Sequence, residues 1–304
     1  MKLRLATRES PLALWQARHV ASLLEQSGGD VEVELVPMTT QGDQQLNQPL
    51  AAIGGKGLFL KELEQAMADG RADFAVHSLK DVPYELPDGF TLAAVLDRHD
   101  PRDALVSPRY ASLDELPAGA VVGTSSLRRQ AQLLNRRSDL TVRSLRGNVN
   151  TRLRKLDDGD YDAIVLATAG LERLAMADRI TQRIDVEVSL PAVGQGVVAI
   201  ECREDDDACI SVMRRVHHAP THRLVTAERS FSEALAGSCQ LPMAANATTS
   251  GDELHLDGLV ATADGSRLLR EATVGPMTDP AGLGLALAQS LLKAGADEIL
   301  DAAR

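Results

Sequence analysis

Aromatic side chains are rare in this 304-residue chain: one Trp, three Tyr and four Phe, 3% of the total. That is too few to supply the stacking platforms of a single-stranded nucleic-acid binder. Cysteine is scarcer still. Cys202, Cys209 and Cys239 are too few and too unevenly spaced for a disulfide framework, which points to a cytoplasmic protein. No apolar run approaches the roughly 18 residues of a membrane helix. The opening segment Met1-Lys2-Leu3-Arg4-Leu5-Ala6-Thr7-Arg8 becomes charged again before a signal-peptide core could form. Positive charge is also in deficit: the net charge is −11, which disfavours coating nucleic acid or an anionic membrane. Lysine is nearly missing, 6 residues against 26 arginines.

What remains is a globular composition, 44% hydrophobic and 25% charged, long enough for two or three domains. The arginines are unevenly placed. From Arg128 to Lys155 there are eight arginines and one lysine against a single acid, Asp139. Arginine carries a flat fork of donors that pairs bidentately with carboxylate or phosphate, so the segment reads as a shaped anion-binding patch with little local compensation.

The first two hundred residues alternate short apolar strands with helices, which favours α/β architecture and parallel sheets. Strands are expected at Leu3–Thr7, Val31–Val36, Phe74–Val76 and Thr91–Leu96 in a first series. A second series follows at Ala104–Val106, Val121–Gly123, Thr141–Leu145 and Ala163–Ala167. Ser10 with Pro11 starts a helix over Leu12–Gln26; further helices fit Leu58–Ala68, Ser126–Asn135, Asn148–Asp157 and Ala169–Met176. Between Thr39 and Gly57 runs a polar, glycine-rich loop. The stretch Leu190–Glu201 reads as a turn and a strand that could return the chain to the first series. After Pro220 the pattern becomes α+β: a helix from Thr221 to Ala236, three strands near Met243–Thr249, Glu253–Thr262 and Arg267–Val274, and a helix over Pro280–Ala294. Asp257-Gly258 and Asp264-Gly265 offer turn chemistry.

Several residues invite chemistry. Lys80-Asp81 follows a strand in a turn fixed by Pro83, where ligands of open α/β sheets bind. A carboxylate beside an ammonium suits stabilising a cation or moving a proton, although an exposed ion pair describes it equally well. Arg8 and Ser10 lead from a strand into a helix N-terminus that attracts anions. Thr124-Ser125-Ser126-Leu127-Arg128-Arg129 repeats that design, and Arg146-Gly147-Asn148 with Arg152 follows the next strand. Cys239 stands in a turn between helix and strand; most free cysteines are inert small hydrophobes. Gly54-Gly55-Lys56-Gly57 lacks the earlier glycine and the final Ser/Thr of a phosphate loop, and His218 with His222 lacks a metal-binding pattern, so no metal is expected.

Taken together, these segments resemble the porphobilinogen deaminase family. The resemblance rests on Ala6-Thr7-Arg8-Glu9-Ser10-Pro11-Leu12-Ala13, Gly54-Gly55-Lys56-Gly57-Leu58-Phe59 and Phe74-Ala75-Val76-His77-Ser78-Leu79-Lys80-Asp81-Val82-Pro83. It continues through Gly123–Arg129, Leu145-Arg146-Gly147-Asn148-Val149, Thr151-Arg152, Gly170–Leu174, Gly194-Gln195-Gly196 and Gly237-Ser238-Cys239-Gln240, in order along nearly the whole chain. The family often has Gly-Gly-Cys at that last turn; here Ser238 precedes the cysteine.

The resemblance implies a transferase that joins four porphobilinogen molecules head to tail, releasing ammonia, to give hydroxymethylbilane for haem and other tetrapyrroles. It implies a dipyrromethane cofactor on a thioether from Cys239, with Asp81 as the catalytic carboxylate. Lys80, Asp81, Thr124, Ser126, Arg128, Arg129 and Arg146 would bind the cofactor; Arg8, Ser10, Gln16, Arg146, Arg152 and Arg173 would serve the substrate or growing chain. The implied fold is two periplasmic-binding-protein-like α/β domains, residues 1–96 plus 197–216 and residues 102–190, with a smaller α+β domain, 219–304, presenting the cysteine. No nucleic acid, membrane or metal partner is implied, and a monomer is expected. A solute-binding module for polycarboxylates shares that fold but leaves Asp81, Cys239 and the C-terminal domain without a role. A nucleic-acid binder built on Arg128–Lys155 is the other alternative.

Overall fold

The computed structural model describes residues 1–40, 42, 60–235 and 241–302. Most of the Thr39–Gly57 loop, the Gly54–Phe59 motif and the Gly237-Ser238-Cys239-Gln240 turn lie outside the described residues. Two compact units emerge: Met1–His99 with Val197–His222, and Asp100–Gly196 with Arg223–Arg304.

In the first unit, β1 (Lys2–Arg8) runs into α1 (Pro11–Gln26). Ser10 caps the helix by accepting the Ala13 N–H at 3.3 Å, and Pro11 takes the first helical position, where its missing N–H costs nothing. Such a cap contributes roughly 1 kcal/mol. The helix buries Ala17, Val20 and Leu24 against Leu3 and Leu5 of the strand it follows. Next come β2 (Glu32–Met38), α2 (Lys61–Ala68), β3 (Phe74–Ser78) and β4 (Phe90–Val95). Much later in the chain, β10 (Val198–Arg203) completes a five-stranded sheet of order β2-β1-β3-β10-β4. Thus Leu190–Glu201 does deliver a strand to the first sheet.

The second unit contains β5 (Asp103–Val106), β6 (Val121–Gly123), α3 (Leu127–Arg136), β7 (Thr141–Arg143) and α4 (Val149–Asp157). It continues with β8 (Ala163–Ala167), α5 (Thr168–Arg173) and β9 (Gln182–Ile184), the last of which has no clear signature in sequence. Their sheet order, β7-β6-β8-β5-β9, repeats the first.

Neither sheet is wholly parallel, contrary to expectation. The trios β2-β1-β3 and β7-β6-β8 are parallel, but β10 runs antiparallel to both β3 and β4, and β5 antiparallel to both β8 and β9. Neither inserted strand is reached by a strand–helix–strand crossover from its neighbour, so nothing constrains it to the parallel direction.

After α6 (Asp207–Met213), helix α7 (Ala219–Ala234) precedes a three-stranded antiparallel sheet, β11 (Met243–Ser250), β12 (Glu253–Ala261) and β13 (Leu268–Pro276). Helices α8 (Pro280–Lys293) and α9 (Ala296–Ala302) close the chain. Asp257-Gly258 is not a turn: it pairs with Glu271 and Ala272 inside the sheet. Asp257 accepts from Arg270, and at Gly258 a Cβ would lie 2.8 Å from Leu287 and Phe231, so glycine here permits close helix packing. Asp264-Gly265 does form the β12–β13 turn, with Gly265 at φ +72°. That turn sits on α3, where Gln130 Nε2 donates to Ala263 O at 3.0 Å and Asn135 Nδ2 to Gly265 O at 2.9 Å.

Candidate active site

Parallel neighbours end at one edge of a sheet, and the turns leaving that edge carry the candidate residues. In the first unit, Arg8 is the last residue of β1 and Ser10 caps the helix that follows. β3 ends at Ser78 and passes into a single 3₁₀ turn, Leu79–Asp81, held by Leu79 N donating to Val197 O at 2.9 Å and Val82 N to Leu79 O at 3.0 Å. Leu79 and Val82 are buried, whereas Asp81 is exposed and Lys80 half-buried. The apolar residues thus hold the turn in place and leave the acid in water. Buried Gln16 of α1 donates Nε2 to Ser78 Oγ at 2.8 Å, tying that helix to the end of β3.

Beneath this edge, His77 Nε2 of β3 lies 2.7 Å from Glu201 Oε2 of β10, both buried. Burial and the neighbouring Glu201 push the carboxyl of Glu64, on α2, up to about 7, against opposing effects of His77 and Lys61.

The second unit gathers cations at the equivalent edge. Thr124, just past β6, is buried, and its Oγ1 accepts the Ser126 N–H at 3.2 Å. Ser126 caps α3 through the Arg129 N–H. After β7 come Arg146 and Gly147, whose φ of +118° is readily adopted by glycine. Arg152 donates Nε to Gly147 O at 2.7 Å, bracing that turn. Arg173, in the helix leaving β8, donates Nη2 to Gly196 O at 2.7 Å. Burial lowers Arg146, and takes Arg173 down to about 10.

The arginine cluster is better compensated than its sequence implies. Arg128 and Arg129 are only 4% and 5% exposed and both pair with Asp103, which is 0% exposed. Arg136 pairs with Asp114 and Arg137 with Asp139. Asp103 and Asp114 precede the arginines in the chain, so a window opening at Arg128 misses them. Burial alone would raise the Asp103 carboxyl; the two guanidiniums outweigh it and hold the group far below the usual range. Asp103 is also approached by Ser189 Oγ at 2.8 Å and Gln195 Nε2 at 2.9 Å. Because β5 runs against β8, pairing Asp103 with Ala167, its first residue falls at the carboxyl edge of the parallel strands. Sequence reasoning missed Asp103, Ser189 and Glu228. Glu228 is a fully buried residue of α7 whose carboxylate accepts the N–H groups of Gly194 and Ala247 at 2.8 and 2.7 Å. An acid opening an apolar strand was the available signal for Asp103; nothing local marks the other two.

Each sheet carries cations and hydroxyls at the carboxyl edge of its parallel strands, and the first adds the exposed carboxylate of Asp81, a set suited to anions and to acid–base work. Known proteins narrow this further. Residues 3–211 match the domain described as porphobilinogen deaminase, dipyromethane cofactor binding domain, and residues 222–293 match the porphobilinogen deaminase C-terminal domain. The chain belongs to the porphobilinogen deaminase family. It is an enzyme with the hydroxymethylbilane synthase activity: four porphobilinogen molecules are condensed with loss of ammonia, using a dipyrromethane cofactor, for tetrapyrrole biosynthesis.

Solved structures with a similar fold include a putative methionine-binding lipoprotein from Bacillus subtilis, 16% identical, with 72% of this chain and 91% of that one covered and a TM-score of 0.46. The methionine-binding protein MetQ is also 16% identical, with 75% and 94% covered and a TM-score of 0.45. A periplasmic substrate-binding protein of an ABC transporter from Coxiella burnetii is 16% identical, with 75% and 96% covered and a TM-score of 0.44. No ligand or activity transfers at that distance. Among the described residues, no helix is long and apolar enough to cross a membrane.

Proposed function

We propose that this family activity is carried by the residues at the two carboxyl edges, with Asp81 as the catalytic carboxylate and Cys239 as the thioether anchor of the cofactor. The observation that carries the reading is Asp81 itself: an exposed carboxylate on a buried, hydrogen-bonded turn, directly after Lys80. Its charge would stabilise the cation left when the substrate's aminomethyl group loses ammonia. The same oxygens would accept the pyrrole proton after the carbon–carbon bond forms.

The donor set fits a dipyrromethane. Each ring bears an acetate and a propionate, and Lys80, Thr124, Ser126, Arg128, Arg129 and Arg146 offer the N–H and O–H groups such carboxylates require. When bound, the cofactor supplies the nucleophilic ring carbon on which elongation starts. Arg8, Ser10, Gln16, Arg146, Arg152 and Arg173 would hold the substrate and the lengthening chain. Each addition brings two more carboxylates, so distributed cations are needed; a charge-assisted hydrogen bond contributes roughly 1.5–3 kcal/mol. Partial desolvation of Arg146 and Arg173 strengthens such contacts.

The division proposed with this reading is 1–96 plus 197–216, 102–190 and 219–304, supported by one sheet falling in each. The same reading takes the protein as a cytoplasmic monomer, in keeping with Cys202 and Cys209 remaining buried thiols. The test is the intact mass of the denatured protein. A dipyrromethane increment present in wild type, absent in Cys239→Ser, and extended stepwise by porphobilinogen is expected. Active wild-type protein of unmodified mass would reject the thioether.

A further inference from the structure

Asp103 occupies the fork faces of both arginines. Arg128 gives Nη1 to Oδ2 at 2.9 Å and Nη2 to Oδ1 at 3.1 Å, and a second Nη1 bond to Leu190 O at 2.6 Å. Arg129 gives Nε and Nη2 to Oδ1 at 3.0 and 2.8 Å, and Nη1 to Val165 O at 3.0 Å. Of the five N–H groups on a guanidinium, this leaves Arg128 its Nε and one Nη2 hydrogen, and Arg129 one hydrogen on each Nη, among the described residues. While Asp103 holds them, Arg128 keeps one two-point fork, Nε–H with the adjacent Nη2–H, for an incoming carboxylate, and Arg129 keeps one N–H on each Nη. What the cluster offers is one net positive charge and a few pre-aimed N–H donors.

The carboxylate is fixed in turn. Ser189 Oγ donates to Oδ2, and Gln195 Nε2 to Oδ1. Gln195 also donates to Pro101 O at 2.6 Å, and Gln132, between Leu190 N at 2.7 Å and Leu190 O at 3.2 Å, holds that backbone in place. No rotation of Arg128 or Arg129 is possible without breaking several buried hydrogen bonds.

We propose that Asp103 is a positioning residue for the reaction: it fixes the directions of Arg128 and Arg129 so that their remaining N–H groups meet the carboxylates of the cofactor and the growing chain without reorganisation. The proposal rests on the family reading of the two arginines as ligand contacts. Orientation fixed before binding removes an entropic cost from every elongation step.

The experiment compares wild type, Asp103→Asn, Arg128→Gln and the double variant, with kcat and KM for porphobilinogen measured per mole of correctly folded protein. Intact mass reports primer occupancy. Asp103→Asn should lower kcat/KM at least tenfold, chiefly through KM, and leave a fraction of the chains without primer. Arg128→Gln should then cost far less in the Asp103→Asn background than in wild type, because residues acting through one another are not additive. Ser189→Ala, which loosens Asp103 without uncovering a charge, keeps the test open if Asp103→Asn fails to fold; a twofold to fivefold rise in KM is expected. Wild-type kinetics and full primer occupancy in folded Asp103→Asn or in Ser189→Ala, or additive losses in the double variant, would overturn the proposal. Wild-type protein lacking primer and activity would instead refute the family reading of the site.

Discussion

The two five-stranded sheets share one strand order but finish their carboxyl edges differently. The first ends in turns where Asp81 is exposed and Arg8, Ser10 and Lys80 are half-buried. The second sinks Arg128 and Arg129 to 4% and 5% exposure on a carboxylate that is itself fully buried. Topology selects where a site lies, while the residues leaving each strand decide how dry it is. A group that must exchange protons gains from solvent, and a group that must hold an anion gains from its exclusion. Substitution of the exposed Asp81 should therefore alter chemistry with little change in stability, and substitution of Arg128 or Arg129 should alter both.

The sharpest way to break this contrast is Asp81→Asn. Loss of the carboxylate should lower kcat by about 10²–10⁴, with the thermal midpoint unchanged because the side chain is exposed on its turn. Substantial unfolding of that variant in a thermal melt would contradict the comparison. Arg129→Gln comes next. It leaves Asp103 with one guanidinium and should destabilise the fold by roughly 3 kcal/mol, measurable by urea denaturation together with lost activity; wild-type stability would place the pair in the wetter class. Gly258→Val, on the face of the C-terminal sheet covered by α7 and α8, forces a side chain between Leu287 and Phe231 and should cost about 1–3 kcal/mol with kcat per folded molecule retained.

The smallest effect concerns Glu64, a buried acid of the first unit. Glu64 rises from the ordinary 4.5 to about 7 on folding, so its neutral form is favoured in the folded protein. Its contribution to stability is full below about pH 4.5 and gone above about pH 7. Glu64→Gln should flatten this dependence, leaving the variant more stable than wild type by about 1 kcal/mol at pH 8 relative to pH 6. Parallel pH–stability curves for the two proteins would discount the shift.

Local signals suffice where local physics decides. Ser10 and Pro11 start a helix because a hydroxyl cap and a fixed φ act within one turn, and Ser126 and Asn148 cap theirs in the same way. Strands followed by Lys80-Asp81, Ser126 or Arg146 put most candidate residues at the carboxyl edges, since consecutive parallel strands leave little choice of side. What stayed hidden depends on distant partners. The antiparallel insertion of β10 is a property of the chain's return across about a hundred residues, with no trace in Val198–Arg203. Asp103 falls just outside the strand expected at Ala104–Val106 until β8 is set beside it, and Asp257-Gly258 looks like a turn until α8 packs onto the sheet. Cys239 lies outside the described residues.

The Gly265 turn on α3 has a mechanical consequence. A methyl group added there would sit 2.5 Å from Ala131 O, three residues beyond Arg128. The C-terminal sheet therefore grips the same short rod whose first turn bears Arg128 and Arg129. An epitope tag spliced into that hairpin would act as a lever, displacing the guanidiniums without altering any residue near a carboxylate.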